Sequence, residues 1–222
     1  MSSGKLWELR EEVLSCNLCP RLRAYSSWVA KEGKRFKEEY WGKPVPGFGD
    51  TEAKLAIVGL APAAHGGNRT GRPFTGDETG RWVIGGLYQL GLSNLKEGKF
   101  RGDGLALRGV FLTNTVLCAP PQNRVRREEV ANCSRYLRET LRSLPKLRVV
   151  LTLGSVAFNA VAEVLGIDSK FAHGTLIHAG ELILMSSYHP SPLNTRTGRL
   201  SWNQWIEILR HAWKLASGGY ED

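Results

Sequence analysis

Four short apolar runs, each bounded by polar or glycine residues, recur along the chain. They cover residues 54–59, 109–116, 147–153 and 181–187. Apolar runs of this length, without alternation of polar residues, are typical of strands buried on both faces of a parallel sheet. They predict a central, mostly parallel four-stranded sheet.

Segments with helical periodicity lie between and around these runs. They cover residues 6–14, 77–90, 127–144, 156–165 and 203–215. We expect a further helix within residues 23–42, where charged and aromatic residues alternate, and a loop over 43–50. Strands that alternate with helices predict an α/β fold, here a three-layer α/β/α sandwich. Because no repeat or linker divides the chain, we predict a single domain covering residues 1–222.

Three long loops follow predicted strands, at residues 59–76, 117–127 and 189–199. In open parallel sheets, ligands bind beyond the carboxyl ends of the strands, where these loops would meet. The first loop is rich in glycine, which lets a backbone approach a ligand closely. We therefore expect the functional site at this edge of the sheet.

The charge of the chain indicates a polyanionic partner. Thirty basic residues against 21 acidic ones give a net charge of +9. Such a surface attracts nucleic acids, because each neutralised phosphate releases a counterion. Several arginines fall in the loops rather than along helix faces: Arg69, Arg72, Arg124, Arg126, Arg127, Arg196 and Arg199.

Four cysteines suggest a metal site. Cys16 and Cys19 form a C-x2-C pair, and Cys118 and Cys133 form a wider one. No run is long enough to span a membrane and residues 1–12 are polar, so we expect a cytoplasmic location, where disulfides are rare. Four thiolates suit tetrahedral zinc or a [4Fe–4S] cluster, and the wide second pair favours the cluster. We expect this site to tie the N-terminal segment to the sheet.

Two motifs give these features a more specific meaning. Residues 59–63 (Gly-Leu-Ala-Pro-Ala) and 71–77 (Gly-Arg-Pro-Phe-Thr-Gly-Asp) resemble the first motif of the family-5 uracil-DNA glycosylases. Residues 189–194 (His-Pro-Ser-Pro-Leu-Asn) resemble the second motif of the wider superfamily. The cysteine pattern resembles that of families 4 and 5, which carry iron–sulfur clusters.

This resemblance implies an enzyme that hydrolyses the N-glycosidic bond of uracil in DNA and so starts base excision repair. It implies a [4Fe–4S] cluster on the four cysteines and DNA with deaminated bases as the partner. Family 5 also accepts bases such as hypoxanthine. We expect the protein to act as a monomer, away from membranes.

The resemblance also assigns two residues to the chemistry. His189 would donate a hydrogen bond to the uracil oxygen as negative charge develops on the departing base. Many superfamily members carry an acidic residue where this chain, like family 5, has Leu60-Ala61-Pro62. Asp77 is the nearest acid and would place water or stabilise the sugar cation, or would simply cap a helix. His65 is a second, weaker candidate.

Four residues are candidates for binding the flipped base. The motif resemblance places Phe74 in a stacking role. Asn114 matches a uracil-recognising asparagine of family 4, and a carboxamide offers both a donor and an acceptor to one base edge. Asn123, in the facing loop, is an alternative reader. Ala61 would leave the pocket wall without polar discrimination and so explain a broad base range.

The second motif supplies the candidate DNA contacts. Leu193 resembles the side chain that wedges into the space left by the flipped base, a role that apolar residues play in many DNA-distorting proteins. Ser191 and the amides of its loop would bind phosphates. Asn194 belongs to the same loop, and Arg196 would add positive charge.

Two other functions are compatible with parts of the pattern. A non-catalytic nucleic-acid-binding module, with the metal site as a structural element, would keep the basic loops but need neither Asp77 nor His189. An enzyme acting on free nucleotides is a third possibility, against which Leu193 and the positive charge argue.

Overall fold

All four predicted apolar runs form strands of one sheet in the computed structural model, which describes residues 2–219. Within these residues the strands are β1 (Phe48–Gly49), β2 (Leu55–Gly59), β3 (Val110–Asn114), β4 (Val149–Leu153), β5 (Leu176–Ala179) and β6 (Leu182–Ser187). Every residue of β2, β3 and β4 is buried, and so is all of β6 except Leu182. Burial on both faces explains why these runs show no polar alternation.

The sheet has the order β1-β3-β2-β4-β6-β5. The four central strands are parallel, as predicted, whereas β1 and β5 pair antiparallel at the two edges. The predicted number of four strands was therefore wrong, because the sheet has two further strands at its edges. β1 is only two residues long within the predicted loop 43–50, and β5 lies half exposed, so neither produces a buried apolar run.

Helices cover the sheet on both faces. The described helices are α1 (Ser2–Ser15), α2 (Pro20–Lys31), α3 (Gly67–Thr70), α4 (Glu78–Gln89), α5 (Arg127–Arg142), α6 (Ser155–Leu165), α7 (Pro192–Arg196) and α8 (Trp202–Ser217). One apolar cluster joins the sheet to α4 and α8, and a second joins it to α5 and α6. The predicted three-layer α/β/α architecture is confirmed. That the whole chain forms one domain stays a prediction.

The helix expected within residues 23–42 is shorter and begins earlier. α2 starts at Pro20, whose fixed φ suits the first helical position, and ends at Lys31. From there to β1 the chain is irregular, because Gly42 needs a positive φ and Pro44 and Pro46 cannot continue a helix. Within residues 2–219, no helix is long and apolar enough to cross a membrane.

Candidate active site

The predicted functional loops do converge at the carboxyl edge of the sheet. β2, β3, β4 and β6 are parallel neighbours, so the segments that follow them leave from the same edge. Gly59, the last residue of β2, is in register with Asn114, the last residue of β3. The turn from β4 into α6, at Gly154, joins this edge and was missed by the sequence reasoning.

Asp77 caps α4. Its Oδ1 accepts a hydrogen bond of 2.7 Å from the backbone N–H of Gly80. A side chain at Gly66 would collide with the other carboxylate oxygen, so the glycine loop packs directly against it. Burial raises the pKa of Asp77, while the bond from Gly80 and the positive charges of Arg69 and Arg81 oppose that rise. The capping interpretation is confirmed, and the role in placing water stays a prediction.

Arg69 holds the first-motif loop (residues 60–77) in shape. Its Nε donates to the carbonyl oxygen of His65 at 2.7 Å, and its Nη2 donates to that of Gly76 at 3.0 Å. The same guanidinium forms an ion pair with Glu38. The sequence indicates Arg69 only as a positive charge, because hydrogen bonds to backbone carbonyl groups leave no signal in a sequence.

Phe74 and Asn114 meet at Gly59. A Cβ on Gly59 would lie 2.7 Å from Cζ of Phe74 and 2.6 Å from Oδ1 of Asn114, so both side chains rest on the bare backbone of this glycine. Phe74 has a φ of 51°, a conformation that costs a non-glycine residue about 1–3 kcal/mol and that clusters at functional sites. It is only 7% exposed and belongs to the main apolar cluster, so its ring is also part of the core.

Gly59→Ala is expected to slow base excision by about 10²-fold, because the added methyl displaces both Phe74 and Asn114, and shifts near 1 Å are enough for such a loss. Single-turnover excision from a uracil-containing oligonucleotide measures the effect. Gly4→Ala, where a Cβ would meet nothing within 4 Å, is the matched control and should retain the wild-type rate. Equal rates for the two variants would contradict the prediction.

The other candidate base readers occupy different environments. Asn114 is 4% exposed, whereas Asn123 is exposed on a short 3-10 turn (Pro121–Asn123) and has a φ of 56°. Ala61 is half buried and packs against the apolar cluster that contains the cysteines. The structure thus brings Asn114 and Phe74 together, while Asn123 lies on the outer part of its loop. The role of each stays a prediction.

His189 follows β6 and Tyr188 and packs beside Gly154, where a Cβ would lie 3.5 Å from that of His189. Burial lowers the pKa of its imidazole to about 4, so the ring is neutral at pH 7 and carries one N–H donor. Its carbonyl oxygen accepts bonds of 2.8 Å from the backbone N–H of Ser191 and from Nδ2 of Asn194. Asn194 therefore supports the His189 loop, and its DNA contact stays a prediction.

We expect the His189 ring not to titrate between about pH 5 and pH 8, because its pKa of about 4 lies well below the usual 6.5. The unfolded chain binds this proton more readily than the folded one. The free energy of unfolding should therefore fall as the pH drops from about 6.5 to about 4. NMR of the assigned ring tests the prediction, and a midpoint near 6.5 would contradict it.

Leu193 and Arg196 lie on α7. Leu193 is 75% exposed, which suits its predicted wedge role, and Ser191 stands half buried at the start of the helix. Arg196 forms an ion pair of 2.7 Å with Glu78, the residue after Asp77. This contact joins the second-motif loop to the first turn of α4.

A stack of three side chains that the sequence did not predict forms around Tyr188, the residue before His189. The ring of Tyr188 lies parallel to that of His173, with centroids 4.6 Å apart, and Cζ of Arg199 lies 4.3 Å from the centroid of Tyr188. The backbone N–H of Tyr188 donates to Nδ1 of His173 at 3.1 Å. Nothing in the sequence around His173 indicates that this residue lies against the one preceding His189.

The four cysteines line one cavity, together with Arg23 and Tyr136 among others. They come from the end of α1, the start of α2, the loop after β3 and α5. Burial raises the pKa of Cys118 to about 11 and that of Cys133 to about 12. Within residues 2–219, no three side chains of His, Cys, Asp or Glu form a ready-made site for a single metal ion.

Comparison with known proteins identifies the family. Residues 46–213 match the model of the uracil DNA glycosylase superfamily. The chain is 48% identical to a type-5 uracil-DNA glycosylase of Pyrobaculum aerophilum, with 90% of this chain and 88% of the relative covered. It is 44% identical to that of Thermus thermophilus, with 93% and 96% covered. A type-4 enzyme of Pyrobaculum aerophilum is 31% identical, with 84% and 83% covered. The chain therefore belongs to the uracil DNA glycosylase superfamily and, within it, to the type-5 family.

Proposed function

We propose that this protein removes uracil from DNA by hydrolysing the bond between the base and deoxyribose, the first step of base excision repair. Its family membership supports this reaction. The observation that carries the proposal is that a neutral His189, a buried Asn114 and an exposed Leu193 all lie at or after the carboxyl ends of the parallel strands β3 and β6. Excision of uracil from a labelled oligonucleotide is the direct test.

Extrusion of the base comes first. Taking a base out of the duplex costs a few kcal/mol, which contacts in the bound complex must offset. Leu193, 75% exposed at the tip of its loop, enters the space that the base leaves. The ion pair between Arg196 and Glu78 keeps this loop close to the helix that Asp77 caps.

Recognition of the extruded base rests on Asn114 and Phe74. The Asn114 carboxamide donates to and accepts from the edge of uracil, whereas cytosine presents a different pattern of donors and acceptors. The Phe74 ring, held against Gly59, provides the apolar surface for stacking. Because Asn114 is 4% exposed, water competes little for its hydrogen bonds.

The chemical step breaks the bond between C1′ and the base nitrogen. The electron pair leaves with the base, whose oxygen receives the hydrogen bond of His189, and a neutral ring serves as that donor throughout the physiological pH range. Water attacks C1′, and the proton that it loses neutralises the departing base anion, which gives an abasic site and the free base. Asp77 orients this water and stabilises the positive charge on the sugar.

The base range follows from the pocket wall. We propose that Ala61, small and apolar, admits other deaminated bases such as hypoxanthine. Ala61→Asp is expected to lower hypoxanthine excision at least about 10-fold more than uracil excision. A carboxylate in the pocket wall is tolerated only if the bound base offers it a matching hydrogen-bond donor. The ratio of the two rates measures this change. Unaltered hypoxanthine excision would contradict the proposal.

The cysteines would hold a [4Fe–4S] cluster, and the cavity that they line together supports this proposal. Arg23 fits an anionic group there, because its buried Nε has no hydrogen-bond partner among residues 2–219 and its charge lies close to Cys118. Nδ2 of Asn132 donates to Sγ of Cys19 at 3.5 Å. A cluster would supply a structural link between α1, α2, α5 and the loop after β3. A monomeric state and a cytoplasmic location stay predictions.

A further inference from the structure

Two loops beside the first-motif loop present aromatic rings to solvent among basic side chains. We call residues 33–43 the first flanking loop and residues 96–103 the second. Phe36 in the first is 43% exposed, and Phe100 in the second is 54% exposed. Neither residue takes part in the site described above. Exposed aromatic groups next to cations indicate a binding surface.

The first flanking loop is held in a defined conformation. The backbone N–H groups of Arg35 and Phe36 donate to Oη of Tyr40 at 3.2 and 3.3 Å. Because the hydroxyl oxygen already accepts these two bonds, its proton donates to Nδ1 of His65, 3.1 Å away. Cζ of Arg69 lies 4.8 Å from the centroid of the Phe36 ring. The exposed ring is therefore fixed to the first-motif loop.

The second flanking loop is attached to the same motif. The backbone N–H of Gly76 donates to the carbonyl oxygen of Gly98 at 2.9 Å. Asp103 binds the buried Arg72 through two hydrogen bonds of 2.8 Å. The guanidinium of Arg101 lies over the ring of Trp41, with Cζ 4.4 Å from its centroid. This last contact joins the two flanking loops into one surface.

The charge of this surface is neutralised only in part from within, since the flanking loops carry more basic than acidic residues even with Glu39 and Glu97 included. Glu38 and Asp103 pair with Arg69 and Arg72, which belong to the motif loop. Within residues 2–219, the guanidinium groups of Arg35 and Arg101 form no ion pair. Burial lowers the pKa of Arg101, and the positive charges of Arg10 and Arg72 lower it further. A surface of this kind attracts an anionic ligand.

The surface also lies on a definite side of the site. Leu193 follows β6, which is next to the β5 edge of the sheet. The first flanking loop precedes β1, at the opposite end of the strand order. The Leu193 side is joined to the first turn of α4 by the ion pair between Arg196 and Glu78. The hydrogen bond between Gly76 and Gly98 holds the second flanking loop beside the first-motif loop. DNA that contacts Leu193 and places a base in the pocket would extend over the flanking loops on the other side of the pocket.

We propose that Phe36 and Phe100, together with Arg35, Arg101 and the exposed Lys43, whose Nζ lies 5.6 Å from the centroid of the Trp41 ring, form a second DNA-contact surface on the side of the lesion opposite to Leu193. The cations bind phosphates and the rings pack against bases or sugars of the flanking DNA. This inference rests on the proposed function, because it takes the base pocket as the centre of the complex.

Binding to a duplex with a central, uncleavable abasic-site analogue tests the surface without the excision step. Phe36→Ala/Phe100→Ala is expected to weaken binding by about 10-fold. Arg35→Ala/Arg101→Ala should reduce the slope of log affinity against log salt by about 1.8, or about 0.9 for each lost phosphate contact. Shortening the DNA on one side of the lesion should abolish both differences, and shortening it on the other side should not.

Matched controls remove similar groups elsewhere. Arg142→Ala/Arg148→Ala removes two exposed positive charges at the amino edge of the sheet, and Tyr88→Ala removes an exposed ring near the far end of α4. Melting temperatures show that each variant is folded. Affinity and salt slope equal to those of the controls, or losses that do not depend on which arm is shortened, would overturn the inference. Absence of excision by the wild type would instead overturn the proposed function.

Discussion

His189→Ala is expected to excise uracil about 10²- to 10³-fold more slowly than the wild type, because it removes a preorganised donor to the departing base. The loss should appear in the single-turnover rate constant. Affinity for DNA should change little, since the hydrogen bond strengthens mainly as charge develops on the base. Rapid quenching with an excess of enzyme over a uracil-containing oligonucleotide separates the two quantities.

Two further variants make this result specific. His189→Gln keeps an N–H donor and should recover part of the lost rate. His178→Ala removes an exposed histidine from the edge strand β5 and should behave as the wild type. A His189→Ala rate within about 3-fold of the wild type would contradict the assigned role, since one strong donor contributes far more.

Cys118→Ser/Cys133→Ser is expected to lose the bound iron and to lower the free energy of unfolding by more than about 4 kcal/mol, as loss of a structural metal centre often does. These two residues lie in the loop after β3 and in α5, and Cys16 and Cys19 belong to the N-terminal segment. Without the shared group, α1 and α2 would keep their apolar contacts and a few polar ones, such as the two hydrogen bonds from Arg21 to Glu129. Iron and sulfide analysis, visible absorbance and thermal unfolding measure the change.

Val13→Ala is the matched control, because Val13 is 3% exposed and belongs to the same apolar cluster as the cysteines. It should cost about 2 kcal/mol of stability and keep the full iron content. Zinc in place of iron in the wild type would show that the alternative metal is the right one. An unchanged melting temperature in the cysteine variant would contradict a structural role.

The central sheet could be predicted because its four parallel strands are buried on both faces. Ala56 and Val58 face one helix layer, and Leu55 and Ile57 face the other, so the run is apolar throughout. β1 and β5 produce no such signal, because an edge strand is short or half exposed and its pairing is set by its neighbour. Local pattern cannot show that kind of pairing.

The location of the motif residues could be predicted from the sequence, whereas the residues that hold them in place could not. His189, Asp77, Phe74 and Asn114 stand in short motifs that sequence resemblance reaches. The contacts that hold them come from distant segments, as with His173 behind Tyr188. Such contacts depend on the folded path of the chain, and the residue types involved are common everywhere.

Capping and catalysis at Asp77 are compatible. One carboxylate oxygen accepts the bond from Gly80, and the other packs against the glycine loop near Arg69. A carboxylate has several lone pairs, so a single cap leaves capacity for water or for the sugar cation. The Asp77→Ala variant would lose both the cap and this capacity, so its stability must be measured beside its rate.

Excision of uracil tests the proposed function most directly. A labelled duplex with one uracil opposite guanine is incubated with the wild type, Asp77→Ala and His189→Ala, and alkali then breaks any abasic site. We predict strand breakage by the wild type and much weaker breakage by both variants. No breakage with uracil, hypoxanthine or xanthine, in a folded preparation that binds DNA, would contradict the proposed excision of uracil and favour a non-catalytic DNA-binding protein.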